Sequence, residues 1–98
     1  MGKIRWTSES EFWLGEIYSY ISEDNPRAAY EVVLGIYEKV ELLEDFPGIG
    51  YSYRMDSDGE IRILLYGHYR IAYLLKEDGN IDILGVFHGA MDMDKHLP

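Results

Sequence analysis

The spacing of hydrophobic residues along this chain changes near its middle from three or four positions to two. In the first half, Leu14, Ile17 and Ile21 recur at the spacing of an amphipathic helix, and a longer stripe of the same kind follows. From Gly50 onward, short apolar or alternating runs are separated by turn residues, as in strands. The pattern predicts two helices followed by a strand meander.

Start and stop signals bound the two predicted helices. Ser8 opens a capping box with Glu11, in which each side chain satisfies a free backbone donor, and this helix is expected to end near Ser22. Asn25 and the proline after it open the second helix, since asparagine caps well and proline fits the first helical position. The Phe-Pro-Gly sequence at 46–48 closes it. The short link between the helices predicts an antiparallel helix hairpin.

The remaining segments predict strands that form one sheet. A short strand is expected at 3–6, and three or four strands follow the helices, separated by glycine-containing turns. The predicted fold is α+β, with an N-terminal strand and the helix hairpin packed on a three- to four-stranded antiparallel sheet. Since the chain is short and shows no linker, residues 1–98 are expected to form a single domain.

The positions of the turns suggest a register for this sheet. If the hairpin centred on Gly67 pairs residue numbers that sum to about 134, and the hairpin centred on Asp78 pairs numbers that sum to about 156, facing residues share parity. The odd-numbered face then collects the core residues Ile61, Ile63, Leu65, Tyr69, Ile71, Tyr73, Leu75, Ile81, Ile83 and Phe87. The even-numbered face is mixed in character and is expected to stay open.

On this register, Arg62, Arg70 and His88 meet on the open face, as diagonal neighbours with Cβ atoms about 7 Å apart. An arginine within a sheet-forming run needs an open surface or a partner, because burying it alone is costly. The alternative is that these are ordinary solvent-side residues of a half-exposed sheet, paired with Asp82 or Glu60.

Composition argues against several classes of function. The chain has 18 acidic and 9 basic residues and a net charge of -9, which opposes direct nucleic-acid binding. It has no cysteine, which excludes a disulfide scaffold and a cysteine nucleophile and suits a reducing cytoplasm. No run reaches membrane-spanning length and no signal peptide is evident, so a cytoplasmic location without membrane contact is predicted.

His88, Asp92, Asp94 and His96 could be drawn as a metal site near the C-terminus. Such ligands rarely converge in an unstructured tail without a rigid support, so a solvated, negatively charged terminus is favoured over a metal site. No metal or other cofactor is predicted.

Five landmarks occur in order along nearly the whole chain. They are Trp6-Thr7; Asn25-Pro26 with Ala28-Ala29; Leu43 with Phe46-Pro47-Gly48 and Gly50; Tyr69-Arg70-Ile71-x-Tyr73; and Val86-Phe87-His88-Gly89-Ala90. This order resembles the ParE/RelE toxin superfamily, which includes plasmid stabilisation proteins. The resemblance implies the toxin of a bacterial type II toxin-antitoxin pair, neutralised by a cognate antitoxin.

The resemblance leaves two kinds of target. ParE-like members poison DNA gyrase, whereas RelE-like members cut messenger RNA on the ribosome. Cleavage needs a base, an acid and cations aimed at the charge on phosphorus. By resemblance, Arg70 matches a RelE-like arginine and Arg62 lies near basic positions one strand earlier, while His88 could act as acid or base. These three residues are the catalytic candidates of the endonuclease hypothesis.

Two departures favour the ParE-like branch. Many relatives carry an arginine where this chain has Met91, and the acidic balance opposes work amid ribosomal RNA. We therefore expect a gyrase-directed toxin that is not an enzyme. Arg62, Arg70, His88 and Asp92 are then candidate contacts for the target or the antitoxin, as are any exposed members of the group Tyr18, Tyr20, Tyr30 and Tyr37. A RelE-like endonuclease, a non-toxic binding module and a homodimer remain alternatives.

Overall fold

The computed structural model describes residues 2–98 and confirms the predicted helix hairpin and the α+β class. Helix α1 spans Ser8–Ser22, helix α2 spans Pro26–Glu41, and a 3₁₀ turn follows at Leu42–Glu44. The two helices are joined by residues 23–25 and pack against each other. Within the described residues, no helix is both long and apolar enough to cross a membrane.

The start of α1 differs from the prediction by one residue. Thr7 is the N-cap, and its hydroxyl accepts a hydrogen bond from the Ser10 amide at 3.1 Å. The Ser10 hydroxyl donates in return to the Thr7 carbonyl at 2.7 Å. The predicted capping box is wrong because Thr7, and not Ser8, occupies the N-cap position. Thr7 also donates to the Ile83 carbonyl at 2.6 Å, which ties the helix start to the sheet. Asn25 caps α2, as predicted.

One sheet contains all the strands found in residues 2–98. Its spatial order is β1-β5-β4-β3-β2, in which β1 lies parallel to β5 and the other neighbours are antiparallel. The sheet has five strands, one more than the three or four predicted, because the N-terminal strand joins it. The strands are β1 (Ile4–Trp6), β2 (Tyr51–Asp56), β3 (Gly59–Tyr66), β4 (Tyr69–Lys76) and β5 (Ile81–His88).

The predicted register of β3 is wrong by one residue. Tyr66 faces Tyr69 across a two-residue turn, Gly67–His68, instead of a turn centred on the glycine alone. The φ of 56° at Gly67 suits the first position of such a turn, which L-residues with side chains rarely adopt. Since side chains alternate between faces, this shift turns every β3 residue to the opposite side of the sheet.

A bulge in β5 changes the register a second time. Ala72 pairs with Gly85 but Tyr73 pairs with Ile83, so Leu84 is the extra residue. The first half of β5 keeps the predicted orientation, with Ile83 toward the helices. Beyond the bulge, Phe87 lies on the opposite face instead.

Both faces of the sheet are covered, so the predicted open face is not present. The helices cover one core, which includes Leu14, Ile36, Val40, Leu43, Leu64, Ile71, Tyr73, Ile81, Ile83 and Val86. The opposite face holds a second core, made by Ile61, Ile63, Ala72, Leu74, Phe87, Met93 and Leu97.

The C-terminal segment, residues 89–98, covers part of this second core. Met93 and Leu97 are only 3% and 9% exposed, and a 3₁₀ turn forms at Met93–Lys95. Trp13 of α1 and Tyr53 of β2 pack against the same core. The prediction of a solvated terminus thus holds for the exposed charged residues, such as Asp92 and Asp94, but not for Met93 and Leu97, which cover the sheet on this side.

The bulge supplies a test of this packing. A Cβ added to Gly85 would lie 2.3 Å from the Phe87 ring, which is fully buried, so we expect Gly85→Ala to lower the free energy of unfolding by about 1–3 kcal/mol. Gly15, at an exposed position of α1, has no atom within 4 Å of an added Cβ. Gly15→Ala should therefore raise stability by about 0.5–1 kcal/mol. Urea unfolding of both variants checks this, and equal stabilities would contradict the packing described here.

Candidate functional site

Arg62, Arg70 and His88 do not form the predicted cluster. Arg62 pairs with Tyr73 on the helix side of the sheet, and His88 lies on this side as well. Arg70 pairs with Phe87 on the opposite side. The predicted juxtaposition is wrong because it depended on equal parity along β3 and β5, which the turn and the bulge both break.

The guanidinium of Arg62 is occupied by the chain itself. Its Nη2 donates to the carbonyls of Gly48 and Gly50 at 3.0 and 2.6 Å, and its Nη1 donates to Glu60 at 2.7 Å. The hydroxyl of Ser52 and then Arg62 lower the pKa of the Glu60 carboxyl. The structure thus shows Arg62 paired with Glu60, which was the alternative to a functional cluster.

Tyr73 completes the anchoring of the loop between α2 and β2. Its buried hydroxyl accepts from the Gly50 amide at 3.0 Å and donates to the Pro47 carbonyl at 2.7 Å. Burial raises the pKa of this hydroxyl. Together with Arg62, it holds residues 47–50 against the sheet. The sequence indicated a turn there, but nothing in the local pattern identified the two side chains that hold it.

Arg70 anchors the turn that follows β5. Its Nη2 donates to the carbonyls of Gly89 and Met91 at 2.9 and 2.8 Å. Its Nε is buried and has no hydrogen-bond partner among residues 2–98. Arg70 therefore positions the backbone that carries Met91.

His88 stands at the exposed end of β5. Its Nδ1 accepts a hydrogen bond from the Ala90 amide at 3.2 Å. The ring contacts Tyr69 edge-on, with centroids 6.0 Å apart. The ring is therefore held between the turn after β5 and Tyr69 at an exposed position.

A groove of about 400 Å³ lies between α1 and the end of β5. Burial, and next the neighbouring Tyr20, raise the pKa of the Tyr69 hydroxyl in its wall, which keeps that hydroxyl neutral. The sequence singled out Tyr20, His88 and Met91 separately, but only the packing of α1 along β5 brings them together. The groove is lined by Glu16, Ile17, Tyr20, Tyr69, Val86, His88 and Met91.

A cluster of charged residues that the sequence did not predict lies beside β1. The Asp82 carboxylate is 2.9 Å from both Arg5 and Lys76, and its side chain is only 10% exposed. Burial raises the pKa of Asp82, but hydrogen bonds from Arg5 and Lys76 outweigh it, so the net pKa is lowered. Asp82 thus pairs with these cations and not with the arginines predicted to lie near it.

The acidic tail does not converge on a metal. Asp92 is exposed, and its side chain accepts from the Asp94 amide at 3.2 Å, which caps a short turn. His96 stacks on Phe87, with ring centroids 5.7 Å apart, and contacts Trp13 edge-on. Among residues 2–98, no group of three potential ligands is placed to hold a metal ion.

Comparison with known proteins agrees with this fold. The sequence profile of the family described as the ParE toxin of the type II toxin-antitoxin system, parDE, matches residues 4–93. The chain is 37% identical over 86 residues to the Sinorhizobium fredii protein named "Putative toxin Y4kP", covering 88% of this chain and 86% of the relative. The chain therefore belongs to the ParE toxin family of type II toxin-antitoxin systems.

Two solved structures have similar folds. The chromosomal ParDE toxin-antitoxin system from P. aeruginosa matches with a TM-score of 0.71 and 24% identity, over 90% of this chain and 96% of that one. The toxin-antitoxin complex RelBE2 from Mycobacterium tuberculosis matches with a TM-score of 0.55 and 22% identity, over 89% and 96% of the two chains. The predicted resemblance to the ParE-like branch is confirmed.

The anchoring role of Arg70 can be measured. Lysine keeps the charge but cannot donate to both carbonyls in the same planar geometry, so we expect Arg70→Lys to lower the free energy of unfolding by about 1–3 kcal/mol. Arg27, in an exposed pair with Glu31, is the matched control, and Arg27→Lys should stay within about 0.5 kcal/mol. Urea unfolding gives both values. An Arg70→Lys protein as stable as the control would show that the two carbonyl contacts contribute little.

The ion pairs of Asp82 predict a pH dependence. Because the folded pKa is lowered, this carboxylate adds stability above its unfolded pKa, and that stability is lost as pH falls through the folded pKa. The wild type should therefore exceed Asp82→Asn in free energy of unfolding at neutral pH, and the difference should shrink below about pH 4. Exposed Asp24 provides the control Asp24→Asn. A constant difference from pH 7 to pH 3 would contradict this assignment.

Proposed function

We propose that this toxin acts on DNA gyrase and that a cognate antitoxin neutralises it by binding. Membership of the ParE family supports the toxin class. The target is inferred from what the chain's own residues can and cannot do.

The observation that carries the proposal is that Arg62 and Arg70 both donate to backbone carbonyls of the chain itself. An endonuclease must bring an acid, a base and cations to one phosphate. Here Arg70 and His88 line one pocket of about 300 Å³ at the end of β5, but Arg62 lies on the other face of the sheet from Arg70, and both arginines already donate to backbone carbonyls. This arrangement favours a mechanism in which the protein binds its target and does not cut RNA.

Charge supports the same choice. A net charge of -9 would be repelled by ribosomal RNA, and a protein target is less sensitive to this. Met91 also leaves no cation at the position where many relatives carry an arginine. Both features weaken the RelE-like alternative.

The site residues then divide by role. Arg62 and Arg70 act indirectly, by holding loops, whereas exposed His88 and Asp92 are proposed to contact the target or the antitoxin. The exposed tyrosines of the helices join them as proposed antitoxin contacts. Their exposed fractions are 41% for Tyr18, 76% for Tyr20, 61% for Tyr30 and 39% for Tyr37.

A supercoiling assay tests the target. Purified protein is expected to inhibit gyrase, and premixing it with the cognate antitoxin should restore supercoiling. Absence of inhibition by folded protein would contradict the gyrase assignment.

Primer extension on translated messages separates the alternatives. We expect no new cuts when the protein is induced, although growth should stop. Cuts within codons would support the endonuclease instead, and unchanged growth would support a non-toxic binding module.

A further inference from the structure

We propose that the loop between α2 and β2, with the neighbouring part of the sheet, presents the surface that contacts gyrase, and that gyrase meets it with an apolar recess bordered by lysine or arginine side chains. This inference rests on the proposed action on gyrase. It goes further by assigning the contact surface and the chemistry that the partner must have. The exposed side chains of this apolar loop surface are Leu42, Phe46, Ile49, Tyr51 and Leu65.

Large apolar side chains are exposed in succession along this loop. Phe46 is 59% exposed and Ile49 is 48% exposed. The Phe46 amide donates to the Leu42 carbonyl at 2.9 Å and the Ile49 amide donates to the Phe46 carbonyl at 3.1 Å, so two successive turns keep these residues adjacent. An exposed patch of large apolar side chains is typical of a protein–protein interaction site.

The sheet extends this patch. Tyr51 pairs with Ile63, so Leu65 is the diagonal neighbour of Tyr51 on the same side of the sheet. Leu65, which is 55% exposed, also lines a pocket of about 300 Å³ with His88. The apolar loop surface therefore adjoins a residue that is already proposed as a contact.

Buried contacts hold the backbone of the loop in place. Arg62 and the fully buried Tyr73 donate to three backbone carbonyls within residues 47–50. A Cβ added to Gly50 would lie 2.6 Å from the Ile63 carbonyl oxygen, so this part of the loop lies directly against β3. The apolar side chains are thus displayed on a preformed backbone, which lowers the ordering cost of binding.

Three carboxylates border the apolar loop surface. Glu41, Glu44 and Asp45 are exposed, and none of them makes an ion pair within residues 2–98. They lie at the C-terminal end of α2 and in the turn after it, where the helix macrodipole disfavours negative charge. They therefore destabilise the fold slightly, but they suit a positively charged partner. Gyrase fits this requirement because an enzyme that holds DNA presents lysine and arginine side chains to it.

Other occupants fit less well. Nucleic acid would meet the three carboxylates and a net charge of -9. A second copy of the chain would bring the same three carboxylates against the first. Addition of a strand at the neighbouring edge, β2, is opposed by the register shift between Ser52 and Arg54, because a bulge interrupts pairing at a sheet edge.

Truncation of matched side chains tests the surface. Phe46→Ala should weaken binding of purified gyrase at least about tenfold, whereas Phe12→Ala, which removes a ring of similar exposure on α1, should change it less than about twofold. Ile49→Ala and Met55→Ala form a second pair with the same expectation. Surface plasmon resonance with the gyrase holoenzyme gives the affinities, and circular dichroism shows that the variants are folded. Equal effects within both pairs would overturn the inference.

Charge reversal tests the chemistry of the partner. Glu41→Lys combined with Glu44→Lys should weaken gyrase binding at least about tenfold. Lysine near the end of a helix also favours folding, so this loss cannot be attributed to unfolding. Glu23→Lys combined with Glu77→Lys changes the net charge equally at exposed positions elsewhere and should weaken binding less than about threefold. Equal weakening by the two double variants would show that only net charge matters, and it would overturn the assigned border.

Antitoxin binding and wild-type activity separate the possible failures. Phe46→Ala should bind the cognate antitoxin within about twofold of the wild type. A loss of antitoxin affinity as large as the loss for gyrase would assign the surface to the antitoxin and overturn the inference. Wild-type protein that neither binds nor inhibits gyrase would contradict the proposed target itself. Wild-type inhibition that Phe46→Ala and Ile49→Ala both retain would instead overturn only the assigned surface.

Discussion

Tyr66 and Tyr69 face each other across the Gly67–His68 turn, and this single pairing decides the side on which every β3 residue lies. It brings Arg62 next to Tyr73, beneath the loop at 47–50. It also places the apolar β3 residues on the face that the C-terminal segment covers. The two cores, the anchored loop and the separation of the arginines all follow from it.

Buried and half-buried polar side chains then connect irregular backbone to the sheet. Arg62 and Tyr73 satisfy the carbonyls and the amide of one loop, and Arg70 satisfies two carbonyls of another. Each would be costly to bury alone, and each becomes stabilising because loop backbone lacks partners of its own. The residues that resemble catalytic cations in the linear sequence therefore serve as internal supports.

The helices were predictable from the sequence, whereas one-residue shifts in strand register were not. The stripe of α2 and the Asn25 cap identify that helix, because helical periodicity survives an error of one residue at either end. Strand faces do not tolerate such an error, since the side-chain period is two. Whether Gly67 is the centre or the first residue of its turn cannot be read from its identity, and the Leu84 bulge has no local signal beyond Gly85. The predicted arrangement of Arg62, Arg70 and His88 was therefore wrong, while their part in function stays a prediction. The groove depends on α1 lying along β5, which only tertiary packing defines.

The pairing of β1 with β5 joins segments 77 positions apart, as the contact of Arg5 with Asp82 shows. Because α1 packs along β5, both helices emerge from the ribosome before the strand that receives them has been made. At about 5–20 residues per second, the interval lasts several seconds. A nascent chain thus passes through a stage in which its helical apolar stripe lacks a sheet to cover it, and during that stage the protein has neither its final shape nor the groove beside α1.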